Sequence, residues 1–178
     1  EAHNNLGNVF KDLAHHDEAI QSYQKAIEIN SQFSEAYYNL GATMRQLRQI
    51  DSAVKSLKKA ISIKPDYAEA YNNLGSCFTL LGQMNSSIEF YEKAIELKPD
   101  YAEAYNSLGN TLNILGKVNV GIKYFEKAIE INPNFAEAYN SLGNAYKKTK
   151  QRDKSLTYFK KAMELKPNMD FILGDILN

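Results

Sequence analysis

The sequence predicts an all-α protein, a solenoid of antiparallel helix pairs, and three observations carry that expectation. Leu6-Gly7, Leu40-Gly41, Leu74-Gly75, Leu108-Gly109 and Leu142-Gly143 recur in steps of 34 residues. Pro65, Pro99, Pro133 and Pro167 keep the same step. Between these markers, apolar residues recur at helical spacing in two stretches per period. A fixed period built from two amphipathic helices means units that bury their apolar faces on one another in a row. Function is then expected on a long surface, not in a single deep pocket.

Five repeats follow, at about 1–33, 34–67, 68–101, 102–135 and 136–169. In the third, Ala70, Tyr71, Leu74, Gly75, Phe78 and Leu81 share one face of the first helix, and Ile88, Tyr91, Ala94, Ile95 and Leu97 share one face of the second. Gly82, like Gly116 in the next repeat, stands where the first helix must stop, because glycine tolerates the left-handed conformation that closes a helix. Ala14, Arg48 and Lys150 hold that place in the other repeats, which leaves those boundaries less defined. Each proline ends a second helix by disfavouring helical geometry in the residue before it, and Ser31 replaces the first proline. Asp66 with Glu69 and Asp100 with Glu103 read as capping boxes for the following helix, and Asn134 with Glu137 as a weaker one.

The small residues have a packing reason. Glycine inside a helix costs up to ~1 kcal/mol relative to alanine, so Gly7, Gly41, Gly75, Gly109 and Gly143 imply a close helix crossing in return. Ala19, Ala53, Ser87, Gly121 and Ser155 are the small surface expected opposite them. Ala26, Ala60, Ala94, Ala128 and Ala162 let one repeat approach the next. Residues 170–178 leave the pattern; Phe171, Ile172, Leu173, Ile176 and Leu177 suggest a helix that caps the array or connects it to another domain. Glu1 already lies inside the first repeat, so the chain reads as part of something longer.

Charge and chemistry narrow the function classes. The 21 basic and 21 acidic side chains cancel, so no global basic field favours nucleic acid or an anionic membrane. The one local excess runs from Lys147, Lys148 and Lys150 through Arg152 and Lys154 to Lys160, Lys161 and Lys166; it reads as a solvated face, with an acidic partner as the alternative. A single Cys77 excludes an internal disulfide and fits a reducing, cytoplasmic setting. No apolar run approaches the ~20 residues a bilayer needs. His3, His15 and His16 stand at no metal-ligand spacing, and Asn85-Ser86-Ser87 is a sequon of the kind chance supplies. Glu69, Glu103 and Glu137 are spaced as capping residues, not as catalytic pairs. No catalytic site, metal or cofactor is expected.

Leu-Gly, then Tyr or Phe, then the small residues, then Pro near the repeat end resembles the tetratricopeptide repeat pattern over residues 1 to about 169. The resemblance implies a right-handed α-solenoid whose first helices line a concave groove that binds protein. On that face the sequence places Asn4, Asn5 and Asn8, then Asn39, Asn72 and Asn73, Asn106 and Asn110, and Asn140 and Asn144, interrupted by Tyr38, Ser107 and Ser141. An asparagine offers a donor and an acceptor together, which is what gripping a peptide unit of an extended chain requires. Solvated repeat consensus and a backbone-gripping ladder both fit the series. Lys11, Arg45, Lys147 and Lys148 flank it as groups that orient acids, Tyr38 as a stacking platform, while Thr79, Leu80, Asn113 and Ile114 make the middle less charged.

Family members that clamp a terminal carboxylate use lysines and an arginine where this chain has asparagines or glutamates, so that activity is not expected. The phrase Pro-Asp-Tyr-Ala-Glu-Ala-Tyr-Asn-Asn-Leu-Gly at 65–75, nearly repeated at 99–109, is similar to the repeats of O-linked N-acetylglucosamine transferases, as is the ending at 170–177. That likeness implies a substrate-recognition region for a transferase domain elsewhere. A third expectation is a scaffold: Leu6 and Phe10 lie on a first helix with no repeat before it, an apolar edge for end-to-end self-association.

Overall fold

The computed structural model describes residues 1–167. Among them are ten helices and no strand: α1 Ala2–Asp12, α2 His16–Ile29, α3 Ser34–Gln46, α4 Ile50–Ile63, α5 Ala68–Leu80, α6 Met84–Leu97, α7 Ala102–Ile114, α8 Val118–Ile131, α9 Ala136–Lys148 and α10 Arg152–Leu165. The helix expected over 170–178 lies outside the described residues. The chain divides into two compact units, Glu1–Leu97 with α1 to α6 and a second that begins at Lys98 with α7 to α10. Within each, every even helix packs on the odd helix before it, and α2, α4 and α8 also pack on the odd helix that follows. Each unit is thus a stack of helix pairs, the all-α solenoid that the period predicts.

The turn inside each pair is the same at all five places. Gly82 and Gly116 take φ of 74° and 77°, and Ala14, Arg48 and Lys150 take 59°, 61° and 60°. Around Gly82 the Gln83 amide donates to the Phe78 carbonyl at 2.9 Å and the Gly82 amide to Thr79 at 3.0 Å. Around Lys150 the Gln151 amide reaches Tyr146 at 2.9 Å and the Lys150 amide reaches Lys147 at 3.0 Å. This pair of bonds, six residues closing on one and five on two, satisfies the last carbonyls of the helix. Non-glycine residues therefore leave the boundary where glycine would put it, at the cost of a strained φ.

The helix starts differ from expectation. The residues before α5, α7 and α9 are Tyr67, Tyr101 and Phe135, and none of these starts carries a side-chain capping bond. A capping box needs its polar residue at the N-cap and its glutamate three places later. Asp66, Asp100 and Asn134 fall one residue too early, in the preceding turn. The aromatic N-cap packs instead: Tyr67 lies 4.8 Å from the Tyr38 ring, centroid to centroid, and Lys64 Nζ sits 4.7 Å above it. Lys98 covers Tyr101 in the same way at 4.8 Å.

The core is built on the glycine series. A β-carbon on Gly7 would meet the Tyr23 ring at 2.5 Å, on Gly75 the Tyr91 ring at 2.6 Å and on Gly143 the Phe159 ring at 2.7 Å; on Gly41 it would meet Leu57 at 2.7 Å. In each pair, then, one large side chain of the second helix lies flat on bare backbone of the first. Ala19, Ala53, Ser87, Gly121 and Ser155 are all buried, and a β-carbon on Gly121 would stand 2.8 Å from the Gly109 carbonyl oxygen. Ala26, Ala60, Ala94, Ala128 and Ala162 are buried as well. Leu6 and Val9 on α1 and Leu13 at its C-cap stay exposed, whereas Phe10, expected with Leu6 on an apolar edge, packs partly buried against Ala19, Tyr23 and Leu40.

Candidate binding face of the first helices

In the first unit the polar face belongs to α1, α3 and α5, and part of it is turned inward. Asn4 is 1% exposed and Asn39 7%. Asn39 Nδ2 donates to Asn4 Oδ1 at 3.0 Å, and Asn4 Nδ2 donates to Glu35 Oε1 at 3.4 Å. Contact between α1 and α3 takes these amides out of water, and buried polar groups pair. Two rungs of the asparagine series, expected either as solvated consensus or as a ladder for a partner's backbone, thus pair with each other inside the fold. Asn8 accepts a hydrogen bond from the Tyr23 hydroxyl at 2.9 Å and so secures the ring that lies on Gly7. Asn73 is buried; Asn5 is exposed, and Lys11 and Asn72 are half-buried. Tyr38, half-buried, spends one ring face on Tyr67. Arg45 Nη1 donates to Ser76 Oγ at 3.3 Å across α3 and α5.

In the second unit the corresponding face, on α7 and α9, holds an open pocket of about 620 Å³. Its lining is Asn110 and Asn113 from α7 and Asn140, Ser141, Asn144, Lys147 and Lys148 from α9. Of the residues expected to bind, the structure brings Asn110, Asn140, Asn144 and Lys147 together here; Asn106 lies outside the lining. Asn140 is 9% exposed, and its Oδ1 and that of Asn113 are buried without a hydrogen-bond partner. Leaving such an acceptor unmet costs about 1–3 kcal/mol, and Asn106 Oδ1, at the place of Asn140 in the preceding repeat, is in the same condition outside this lining. Lys148 Nζ donates to the Asn113 carbonyl at 3.4 Å and hangs beside the pocket floor.

The sequence reading placed Lys148 beside Lys147 as a group that orients acids, but it did not place Asn113 and Ser141 among the binding residues. Asn113 sits five residues after Leu108, the register of Lys11 after Leu6, Arg45 after Leu40 and Lys147 after Leu142, a signal that was available.

No group of three His, Cys, Asp or Glu that could hold a metal occurs among the described residues, and none of their helices is long and apolar enough to cross a membrane. Cys77 packs with Ala53, Leu57 and Leu74, and burial pushes its thiol up to about 11, against a smaller opposing pull from Arg45. Such a thiol is an inert core residue.

Models of the tetratricopeptide repeat match residues 15–47, 43–78, 68–101, 90–119, 109–150 and 136–169. No curated protein matches the sequence. Among solved structures, MamA is 34% identical, covering 90% of this chain and 94% of its own, with a TM-score of 0.76. TTC0263, a thermophilic TPR protein in Thermus thermophilus, is 21% identical, covering 99% of this chain and 96% of its own at a TM-score of 0.85. YrrB, described as a TPR protein with an unusual peptide-binding site, is 24% identical, covering 97% and 89% at a TM-score of 0.70. The last two are similar in fold.

Proposed function

The chain belongs to the tetratricopeptide repeat family, and we propose that it is a protein-interaction module holding an extended segment of a partner on the face of its first helices. The observation that carries the reading is the pocket between α7 and α9, where two buried amide oxygens, on Asn113 and Asn140, have no donor. An extended peptide supplies N–H groups in a regular row, and amide side chains accept them whatever the peptide's sequence. On this reading the chain binds and does not catalyse, and a cytoplasmic setting suits its free buried thiol. Titrating a peptide selected for binding into ¹⁵N-labelled protein tests it. Shifts concentrated on α7 and α9, or on α1, α3 and α5, support the proposal; shifts confined to the even helices refute it.

Two further readings have their own observations. The 65–75 phrase supports a region that presents protein substrates to a glycosyltransferase, and the sequence of the parent gene decides that. The exposed Leu6 and Val9 of α1, with Leu13 at its C-cap, support a self-associating scaffold. Light scattering over a concentration series supports that reading if mass rises with concentration and refutes it if the chain stays monomeric.

A further inference from the structure

We infer that the pocket between α7 and α9 selects an acidic segment, its main chain held by asparagine and its carboxylates by Lys147 and Lys148; this rests on the proposed binding face and names its ligand. Two independent features of the same pocket point there. The floor is acceptor-rich: Asn140 is more than nine-tenths buried with its Oδ1 unmet, and Asn113 Oδ1 is in the same condition. That floor suits donors, which a peptide main chain provides and a bare anion does not. The rim is cationic: Lys147 and Lys148 are exposed and belong to the lining. A donor-bearing backbone that also carries negative charge meets both demands.

Lysines in the last turn of a helix also answer the helix dipole, which would explain them without a ligand. The register argues otherwise. The place of Lys148 is taken by Asp12, Gln46, Leu80 and Ile114 in the other repeats, so the repeat does not need a cation there. In sequence the stretch that follows stays basic on balance, with Lys150, Arg152 and Lys154 against Asp153, and a net positive charge favours acidic segments before contact.

Selection of random twelve-residue peptides by display against the whole chain tests the inference. The expected result is an excess of Asp and Glu in the enriched peptides. Charge reversal by Lys147→Glu with Lys148→Glu then weakens the best synthetic peptide by about tenfold or more, since two rim pairs are lost and repulsion takes their place. Replacing that peptide's acidic residues with Asn and Gln has a similar effect, and Asn140→Ala weakens it by about fivefold. Circular dichroism and melting confirm that each variant is folded. Enriched peptides without acidic excess, or with affinity unmoved by charge reversal, overturn the acidic assignment and leave the binding face standing. If no peptide is enriched, both fail.

Discussion

The ring of Phe125 lies so close to Gly109 that a β-carbon on the glycine would stand 2.6 Å from its Cε1. Four of the five pairs place an aromatic ring of the second helix against glycine of the first, and Leu57 takes the ring's place against Gly41. Gly109→Ala gains up to ~1 kcal/mol of helix propensity and loses about 1–3 kcal/mol to overpacking, so a net loss of up to about 2 kcal/mol is expected by denaturant unfolding. In a Phe125→Ala background the clash is gone, and the same Gly109→Ala change becomes neutral or stabilising. A loss that is the same in both backgrounds would show that the ring is not the cause.

Ala14, Arg48 and Lys150 hold left-handed φ in turns that Gly82 and Gly116 fill without strain. That conformation costs an L-residue roughly 1–2 kcal/mol, and glycine returns part of the gain through its greater freedom when unfolded. Ala14→Gly, Arg48→Gly and Lys150→Gly are each expected to stabilise by about 0.5–1 kcal/mol. Gly82→Ala, with no atom within 4 Å of the added carbon, is expected to destabilise through φ alone. Thermal melts of the four variants check both directions.

The Asn39–Asn4 bond is a structural pair. Asn39→Ala strands the buried Asn4 Oδ1 and is expected to cost about 1–3 kcal/mol. Changing Asn4 and Asn39 together to Leu removes both polar groups and is expected to cost less than the sum of the single changes. Additive losses in that double-mutant cycle would contradict the pairing.

Burial pushes the Tyr23 hydroxyl up to about 12, the Asp12 carboxylate adds to the rise, and a hydrogen bond with Thr43 opposes it. The unfolded chain releases this proton near pH ~10 while the native chain keeps it. Native protein therefore binds more protons in that interval, so the contribution is whole below about pH 10 and is lost as pH climbs toward 12. Tyr23→Phe is expected to flatten that alkaline fall relative to the parent. At neutral pH it costs about 1 kcal/mol, the worth of the hydroxyl's bond to Asn8. Urea unfolding at several pH values reads both effects.

How much of this was legible follows from which residues repeat. Leu-Gly, the buried alanines and the helix-closing glycines ride on the period, and their physics is local or is shared by every repeat; they gave the helices and the core. The capping boxes failed because a three-residue spacing says nothing about which residue is the N-cap, and the aromatic residues Tyr67, Tyr101 and Phe135 took that place. The site was half legible. Composition marks the asparagines, but whether an amide faces a groove or a neighbouring helix depends on the crossing of two helices 34 residues apart. Asn4 turned to Asn39 and Glu35 while Asn140, at the same register, faces an open pocket. Asn4 meets its partners in the repeat that follows it, and the corresponding positions after Asn140 lie outside the described residues.

The central claim is that unmet amide oxygens between α7 and α9 receive the main chain of a partner. Calorimetric titration of a selected peptide into the parent chain and into an Asn113→Ala, Asn140→Ala variant, shown to be folded, tests it most directly. The expected result is a loss of affinity of about tenfold or more with a smaller binding enthalpy, two hydrogen bonds being removed. Equal affinity and enthalpy for the two proteins would contradict it.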